Sequence, residues 1–527
     1  MKFNSKHFFL PRSTKNGLRS LSLVLLFALW LPFYASAQHK PDLKALEQYI
    51  ENARQEWEIP GMAVAIVKND TVIFAKGFGV TDILKKNPVN ENTLFAIASN
   101  SKAFTSASLA ILVDEKKITW DDKVTKHLPY FKLQDECATK EMTIRDLLSH
   151  KSGLKTFSGD LLWFGSNISR EEIVKRARFI KPSYGFRTKY GYQNIMFIAA
   201  GEVIPAVSGK TWDEFVKERF LQPLGMNRTN TSILAQATDK NVAQPHVRWN
   251  GKMQPVPYLN YDNSGSAAAI NSSVNDMTRW IRLHLNKGTL EGKKYFGEDV
   301  HRDMWTPQTL NPMSKGAEKL WPSKHFQAYG LGWDLFDYHG RKVVNHSGGL
   351  EGMISQVVMV PEEKLGFVVL TNTDNSLPYA LMYEITDRFL GEDGRDWSKV
   401  LLEFKKAGQK RDAEAKEKLE KERPKNAKPA HKLKEYAGTY RSELYGDVVV
   451  KAEGKKLTFQ MVPSPLYKGE LNIWEKDEFV LSWSHPTFLP GGRVTFVADD
   501  KGNIVEMKMD VPNPDFDFTE LELKKVN

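Results

Sequence analysis

Two runs rich in β-branched and aromatic residues, read together as "GMAVAIVKNDTVIFAKGFG" (61–79), fold back about Asn69-Asp70. The next comparable runs, "KVVNHSGG", "MISQVVMVP" and "LGFVVLTN", begin at Lys342, more than two hundred residues later. The first pair reads as a β-hairpin and the later three as strands joined by tight turns. An isolated hairpin is marginal in water, so it needs partners. The distant strands can supply them, which predicts one antiparallel sheet completed from both ends of a domain and faced by helices.

Helical patterns flank these strands. Leu43, Leu46, Ile50, Ala53 and Trp57 share one face of "DLKALEQYIENARQEW", and "YALMYEITDRFLG" closes the domain with a second amphipathic helix. Between roughly 115 and 325 the chain reads as short helices and loops, including "TWDDKVTKHLPYF" and "TIRDLLSHKSGL". From 399 to 424 the pairs Asp412/Lys416, Glu414/Lys418 and Glu417/Lys421, spaced four apart, predict a solvated spacer helix ended by Pro424 and Pro429. Strand-like runs then recur with turn signals at Glu453-Gly454, Pro490-Gly491-Gly492 and Lys501-Gly502-Asn503, as in a small all-β sandwich or barrel. The expected organisation is a leader over 1–37, an α+β domain over 38–397, a charged helical linker over 398–432 and an all-β domain over 433–527.

The leader has Lys2, Lys6, Arg12, Lys15 and Arg19 with no acid, then "LSLVLLFALWL", then Ala35-Ser36-Ala37. That run is short for a bilayer span of about 20 residues, and the small residues suit cleavage after Ala37. The expectation is export to a periplasm or the exterior, with no stable membrane anchor after cleavage. Cys137 is the only cysteine, so no intrachain disulfide can form.

The formal charge of +10 invites a nucleic-acid reading, but the leader carries 5 of those charges, leaving 10 − 5 = +5. The stretch 399–434 holds 13 basic and 6 acidic residues, or +7, so the rest is 5 − 7 = −2. The excess belongs to the linker, and no basic face with interleaved aromatics points to nucleic acid.

The chemistry-bearing stretch is "FAIASNSKAFTSASLAIL" (95–112). Ser99 and Lys102 stand three apart, which on a helix puts both side chains on one face. A neutral lysine there can take the serine proton, and a charged one can stabilise the alkoxide. A serine starting the helix also has a backbone N–H free for an oxyanion. Ser152 and Lys155 have the same spacing, but in a glycine-bearing turn.

"FAIASNSKAFTSASLAILVDEKKITWDDKVTKHLPYF" followed by "TIRDLLSHKSGL" resembles the penicillin-recognising serine hydrolases: class C β-lactamases, serine D-Ala-D-Ala carboxypeptidases and related esterases. The resemblance implies a β-lactamase/transpeptidase-like fold, with Ser99 as the acylated nucleophile and Lys102 as its lysine. The family's YxN element has three candidates, Tyr192-Asn194, Tyr258-Asn260 and Tyr261-Asn263. Only the first sits in a matching frame, "FRTKYGYQNIMFIAAGEVIPAVSGKTW". Tyr192 is the expected general base and Asn194 a substrate amide contact. A phenol with a reference pKa of about 10 is a poor base unless a cation such as Lys102 stabilises the phenolate.

In place of the usual KTG the chain offers His346-Ser347-Gly348, followed by Gly349, whose N–H is the expected second oxyanion donor. Lys364-Leu-Gly366 is a literal KxG, but it reads as a surface turn. A histidine with a reference pKa near 6.5 is mostly neutral at pH 7 and titrates just below it, unlike lysine. Hydrolysis of a peptide or ester is therefore expected over β-lactam turnover. The phrases "ERFLQPLGMNRT", "AAAINSSVNDMTRW" and "YGLGW" extend the resemblance outside the expected active site, and "LKEYAGTYRSELYGDVVVKAEGKKLTF" resembles a small β-domain often attached to such hydrolases.

The expected function is a serine hydrolase acting through an acyl-enzyme on a D-amino-acid-containing peptide or small ester. The alternatives are a β-lactamase and, from another class, a non-catalytic ligand or peptidoglycan sensor. The expected partner is a small-molecule or peptide substrate. No GxSxG elbow, HExxH helix or phosphate loop occurs, and neither a metal nor an organic cofactor is implied.

Overall fold

The computed structural model describes residues 41–392, 394–424, 426–484, 489–513 and 515–526; the expected leader lies outside them. Helix α1 (Leu43–Glu56) starts on Asp42, whose carboxylate accepts from Lys44 N and Ala45 N. It is followed by the hairpin β1 (Gly61–Lys68) and β2 (Thr71–Gly79). Helix α2 (Ser101–Asp114) crosses the middle of the domain, with α3 (Asn194–Ser208) and α4 (Val274–Leu285) packed around it.

The later strands are β3 (Thr309–Leu310), β4 (Gln327–Tyr329), β5 (Asp334–Tyr338), β6 (Arg341–Leu350), β7 (Met353–Val360) and β8 (Leu365–Thr371). They complete one antiparallel sheet in the order β2-β1-β8-β7-β6-β5-β4-β3. The pairing inferred from separated strands is therefore β1 with β8, in register from Met62 opposite Thr371 to Lys68 opposite Leu365.

Both faces of this sheet are buried. Along β1, Met62, Val64 and Ile66 join the core under α1 and α5 (Leu377–Leu390), while Ala63, Ala65 and Val67 join the core around α2. That two-sided burial explains why β1 and β8 read as continuous apolar runs rather than alternating ones.

Helix α6 (Trp397–Glu422) begins one residue before the expected linker, and its first turns belong to the core. Trp397, Leu401 and Leu402 are buried, Trp57 Nε1 donates to Ser398 Oγ at 3.0 Å, and the Trp397 and Tyr383 rings stand 5.0 Å apart. Further along, Glu417 pairs with Lys421 at 2.7 Å. The other two expected pairs give way to Lys410–Glu414 and Lys418–Glu422, each at 4.0 Å.

The C-terminal strands run from β9 (Gly438–Ser442) to β16 (Leu523–Val526) and form a closed eight-stranded barrel, with β16 paired to β9. Closure leaves no exposed sheet edge. The barrel packs directly on the first domain. Asn167 N donates to Pro463 O at 3.0 Å, Gly159 N donates to Glu520 Oε2 at 2.9 Å, and Lys155 pairs with Asp517 at 2.9 Å. The Phe164 and Phe516 rings meet at 4.7 Å. Among the described residues, no helix is long and apolar enough to cross a membrane.

Candidate active site

Ser99 lies in a single 3-10 turn, Ala98–Asn100, that runs into α2. Ala98 holds φ at +48°, in the left-handed region that alanine rarely occupies, so the chain bends sharply just before the serine. Ser355 secures this bend from the sheet: its hydroxyl donates to Ile97 O at 2.7 Å and accepts from Asn100 Nδ2 at 2.8 Å. Gly348 lies against the same turn. A Cβ there would collide with Ile97 O and reach within 2.9 Å of Ser99 N, so β6 can approach the serine only as glycine.

Lys102 is fully buried one turn on. Its amine contacts Ser99 Oγ at 2.9 Å, Asn194 Oδ1 at 2.6 Å and Ala267 O at 3.0 Å. Burial disfavours the ammonium and lowers its pKa to about 7, against the opposing pull of the Asp160 carboxylate. A neutral amine beside a serine hydroxyl is a competent base.

Asn194, expected to touch substrate, also donates from Nδ2 to Asp160 Oδ2 at 2.5 Å. Both ends of its amide are engaged, so it holds Lys102 and Asp160 in place at the wall of the cavity. Burial raises the Asp160 carboxyl above the usual carboxylate range.

Tyr192 reaches the Ser99 side chain with its hydroxyl, yet burial pushes its pKa well above the ordinary value. Lys102 Nζ sits over the ring, 4.8 Å from its centroid, and its own charge is weakened by burial. Tyr192 is a neutral phenol, able to relay a proton rather than hold a negative charge.

His346 departs from expectation as well. Its Nδ1 meets Ser347 O at 2.5 Å and its Nε2 meets Tyr329 OH at 2.8 Å. With Nδ1–H donating to the carbonyl, Nε2 accepts from the phenol and the ring is neutral. Burial and the nearby Lys102 push its pKa down to about 3, so it does not titrate near pH 6 to 7. Ser347 and Gly349 are exposed beside it, and Gly349 stands opposite Ile354 in the sheet.

The remaining candidates fall elsewhere. Ser152 is buried and accepts from Leu154 N at 3.3 Å, while Lys155 turns to the barrel. Tyr258 OH donates to Ala243 O at 2.7 Å, and Asn263 Nδ2 donates to Trp163 O at 3.0 Å. Lys364 occupies a left-handed turn position between β7 and β8. In α2, Ser101 Oγ accepts from Ile270 N and Ser108 Oγ donates to Phe104 O, both packing roles.

Sequence reasoning missed several residues. Tyr329, inside "YGLGW", and Ala267, inside "AAAINSSVNDMTRW", belong to the site rather than outside it. His150 packs its buried ring 4.2 Å from Tyr192 and 4.4 Å from Tyr329, and its Nδ1 accepts from Gln193 N at 3.0 Å. Asp160 carried no local signal, since its partners come from other parts of the chain.

Ser99 opens onto a cavity of about 680 Å³ lined by Tyr192, Asn194, His346 and the glycines of β6, and on its far wall by Asp515 and Phe516 of the barrel segment between β15 (Ile504–Asp510) and β16. Among the described residues, no cluster of His, Cys, Asp and Glu is arranged to hold a metal ion.

A family model described as Beta-lactamase matches residues 46–389, and one described as a domain of unknown function, DUF3471, matches 422–525. An unguisins hydrolase of Aspergillus campestris is 32% identical over 373 residues, 67% of this chain and 67% of that protein. Protein flp of Staphylococcus aureus strain N315 is 25% identical over 331 residues, 63% of each. The alignments thus span about two thirds of these relatives' own lengths. Among solved structures, the octameric penicillin-binding protein homologue from Pyrococcus abyssi superposes with a TM-score of 0.60 at 21% identity, over 92% of this chain and 100% of that one. A D-stereospecific amidohydrolase from Streptomyces sp. superposes with a TM-score of 0.54 at 22% identity, over 67% of this chain and 99% of its own. At these identities the two structures speak to the fold.

Proposed function

The chain belongs to the beta-lactamase family of serine hydrolases, and on that premise we propose that it cleaves an amide or ester through an acyl-enzyme on Ser99, outside the cytoplasm, with D-amino-acid-containing peptides or small esters as substrates. The observation that carries this reading is the Lys102 amine, buried, lowered to a pKa of about 7 and 2.9 Å from Ser99 Oγ at the mouth of a ligand-sized cavity.

In this mechanism Ser99 Oγ attacks the carbonyl carbon as its proton passes to the Lys102 amine. The oxyanion is held by the backbone N–H groups of Ser99 and Gly349. Collapse breaks the C–N or C–O bond, and the leaving group takes the proton from Lys102 through the Tyr192 hydroxyl. Water then attacks the acyl carbon, returns a proton along the same path and frees Ser99.

The neutral His346 supports a peptide or ester over a β-lactam, because the cation usual at that strand position is missing. The lysine- and arginine-rich leader with its apolar run and Ala35-Ser36-Ala37 supports export. The test is an active-site acylating probe read by intact mass. One adduct on the wild type and none on Ser99→Ala is the expected result, and equal labelling of both removes Ser99 as nucleophile.

A further inference from the structure

Asp160 bears on the base through Asn194, and the backbone that presents it is a strained one. In the turn over 155–160, Phe157 takes φ +62° and Gly159 φ +81°. Phenylalanine rarely occupies the left-handed region, and a Cβ on Gly159 would come within 2.5 Å of Ile180 Cδ1 and Ile195 Cδ1. A backbone of this kind persists only where its surroundings hold it.

On its inner side the turn is tied to the segment that carries Tyr192. Phe157 N donates to Tyr192 O at 2.9 Å, and Gln193 Nε2 donates to Lys155 O. On its outer side the hold comes from the barrel. Glu520, in the 3-10 turn Phe518–Leu521 just before β16, accepts from Ser158 Oγ through Oε1 and from Gly159 N through Oε2, the latter at 2.9 Å. Tyr445, in the connection after β9, donates its hydroxyl to the same Oε2 at 2.6 Å and so fixes the carboxylate from behind. Ser158 and Tyr445 are buried, where a donor that loses its partner is costly.

Asp160 follows Gly159 directly and opens the 3-10 turn Asp160–Leu162. Its Oδ2 accepts from Asn194, whose Oδ1 meets the Lys102 amine that stands 2.9 Å from Ser99 Oγ. A continuous run of bonds therefore joins the barrel to the base: Glu520 to the 158–159 turn, then Asp160, Asn194 and Lys102. The neighbouring inter-domain ion pair lacks such a path. Lys155 meets Asp517 at 2.9 Å through a side chain that is 55% exposed and leads no further.

We infer that Glu520 of the barrel is a positioning residue for the base: by holding Ser158 and Gly159 it sets Asp160 against Asn194, and through them the Lys102 amine against Ser99. Its action falls on the base and is independent of which substrate occupies the cavity. The inference rests on Lys102 being the base for Ser99, and it gives the appended barrel a part in preparing the chemistry.

The test uses the full-length protein, an uncharged ester, and a neutral fluorophosphonate that labels Ser99. Glu520→Ala should lower kcat and the labelling rate by about tenfold or more with a smaller change in KM, since a displaced base forfeits much of its contribution. Glu520→Gln keeps an oxygen to accept from Gly159 N and Tyr445 and an N–H to donate to Ser158 Oγ, so it should restore most of the rate. Lys155→Met breaks only the neighbouring ion pair and should leave kcat within about twofold of the wild type. The decisive measurement is a double-mutant cycle: in an Asp160→Ala background, Glu520→Ala should cost less than about a further twofold, because the path it acts through is already cut. Tyr445→Phe keeps the ring, removes one bond to Glu520 and should lower kcat several-fold with the same dependence on Asp160, which decides the matter if Glu520→Ala does not fold. An unchanged kcat in the folded variants, a loss in Lys155→Met equal to that in Glu520→Ala, or losses that multiply in full across the cycle overturns the inference while wild-type labelling of Ser99 stands. Absence of that labelling overturns the underlying mechanism instead.

Discussion

The side-chain carbonyl of Asn194 holds the Lys102 amine at 2.6 Å while the other end of the same amide holds Asp160. Asn194 is therefore a positioning residue for the base. Asn194→Ala should lower kcat by about 10²-fold with a smaller change in KM, because a misplaced base loses the gain from acid–base catalysis. Steady-state kinetics on an uncharged ester probe separates the two parameters.

The amine of Lys102 must be neutral to accept the serine proton, so kcat/KM should rise as pH increases through about 7. The Asp160 carboxylate favours the ammonium and holds that pKa up. Asp160→Asn should therefore shift the rising limb to lower pH, and a limb displaced upward would contradict the charge arrangement.

His346 contributes no titration between pH 5 and 8, since its pKa lies at about 3. His346→Asn should lower the rate without moving the rising limb. His346→Lys sets a second cation near Lys102 and should move that limb to lower pH. Both outcomes are read from kcat/KM profiles on the same ester.

Gly348 and Gly349 are adjacent but should respond differently. Gly348→Ala drives a methyl into Ile97 O and toward Ser99 N, so Ser99 labelling should slow by about 10²-fold or more as the oxyanion donor is displaced. At Gly349 the nearest atom to a new methyl is Ile354 Cδ1, at 3.4 Å. Gly349→Ala should fold normally, with a thermal midpoint close to the wild type.

His284 and His301 are buried with their rings 5.6 Å apart, and neither ring nitrogen of His284 has a hydrogen-bond partner. Burial lowers His284 well below its ordinary value and His301 to about 4. Below about pH 6.5 the unfolded chain binds protons that the folded one refuses, so stability falls with pH, toward pH 4 for His301. Between pH 7 and pH 5 His301 alone accounts for about 2 kcal/mol, or about 2 °C in a chain this long. His301→Phe should flatten the decline of the thermal midpoint over that range by about this amount.

What could be read from the sequence follows how far apart the partners lie. Ser99 and Lys102 are three residues apart, and one helical turn brings them together, so a local pattern sufficed. Tyr192 and His346 were found through their surrounding phrases, but their protonation was not, because it depends on burial against Tyr329 and His150. The sheet was legible because its two-sided burial makes β1 and β8 continuously apolar. Asp160 was silent because its role rests on Asn194 and Lys102, and Asp515 because it depends on how the barrel docks.

The barrel closes only when β16 pairs with β9, and the wall at Asp515 and Phe516 is carried on the segment that leads into β16. During synthesis the nucleophile and its base emerge long before that wall exists. A chain in which β16 has not yet paired carries Ser99 and Lys102 without that part of the cavity wall. The outline of the cavity is thus complete only once the barrel has sealed.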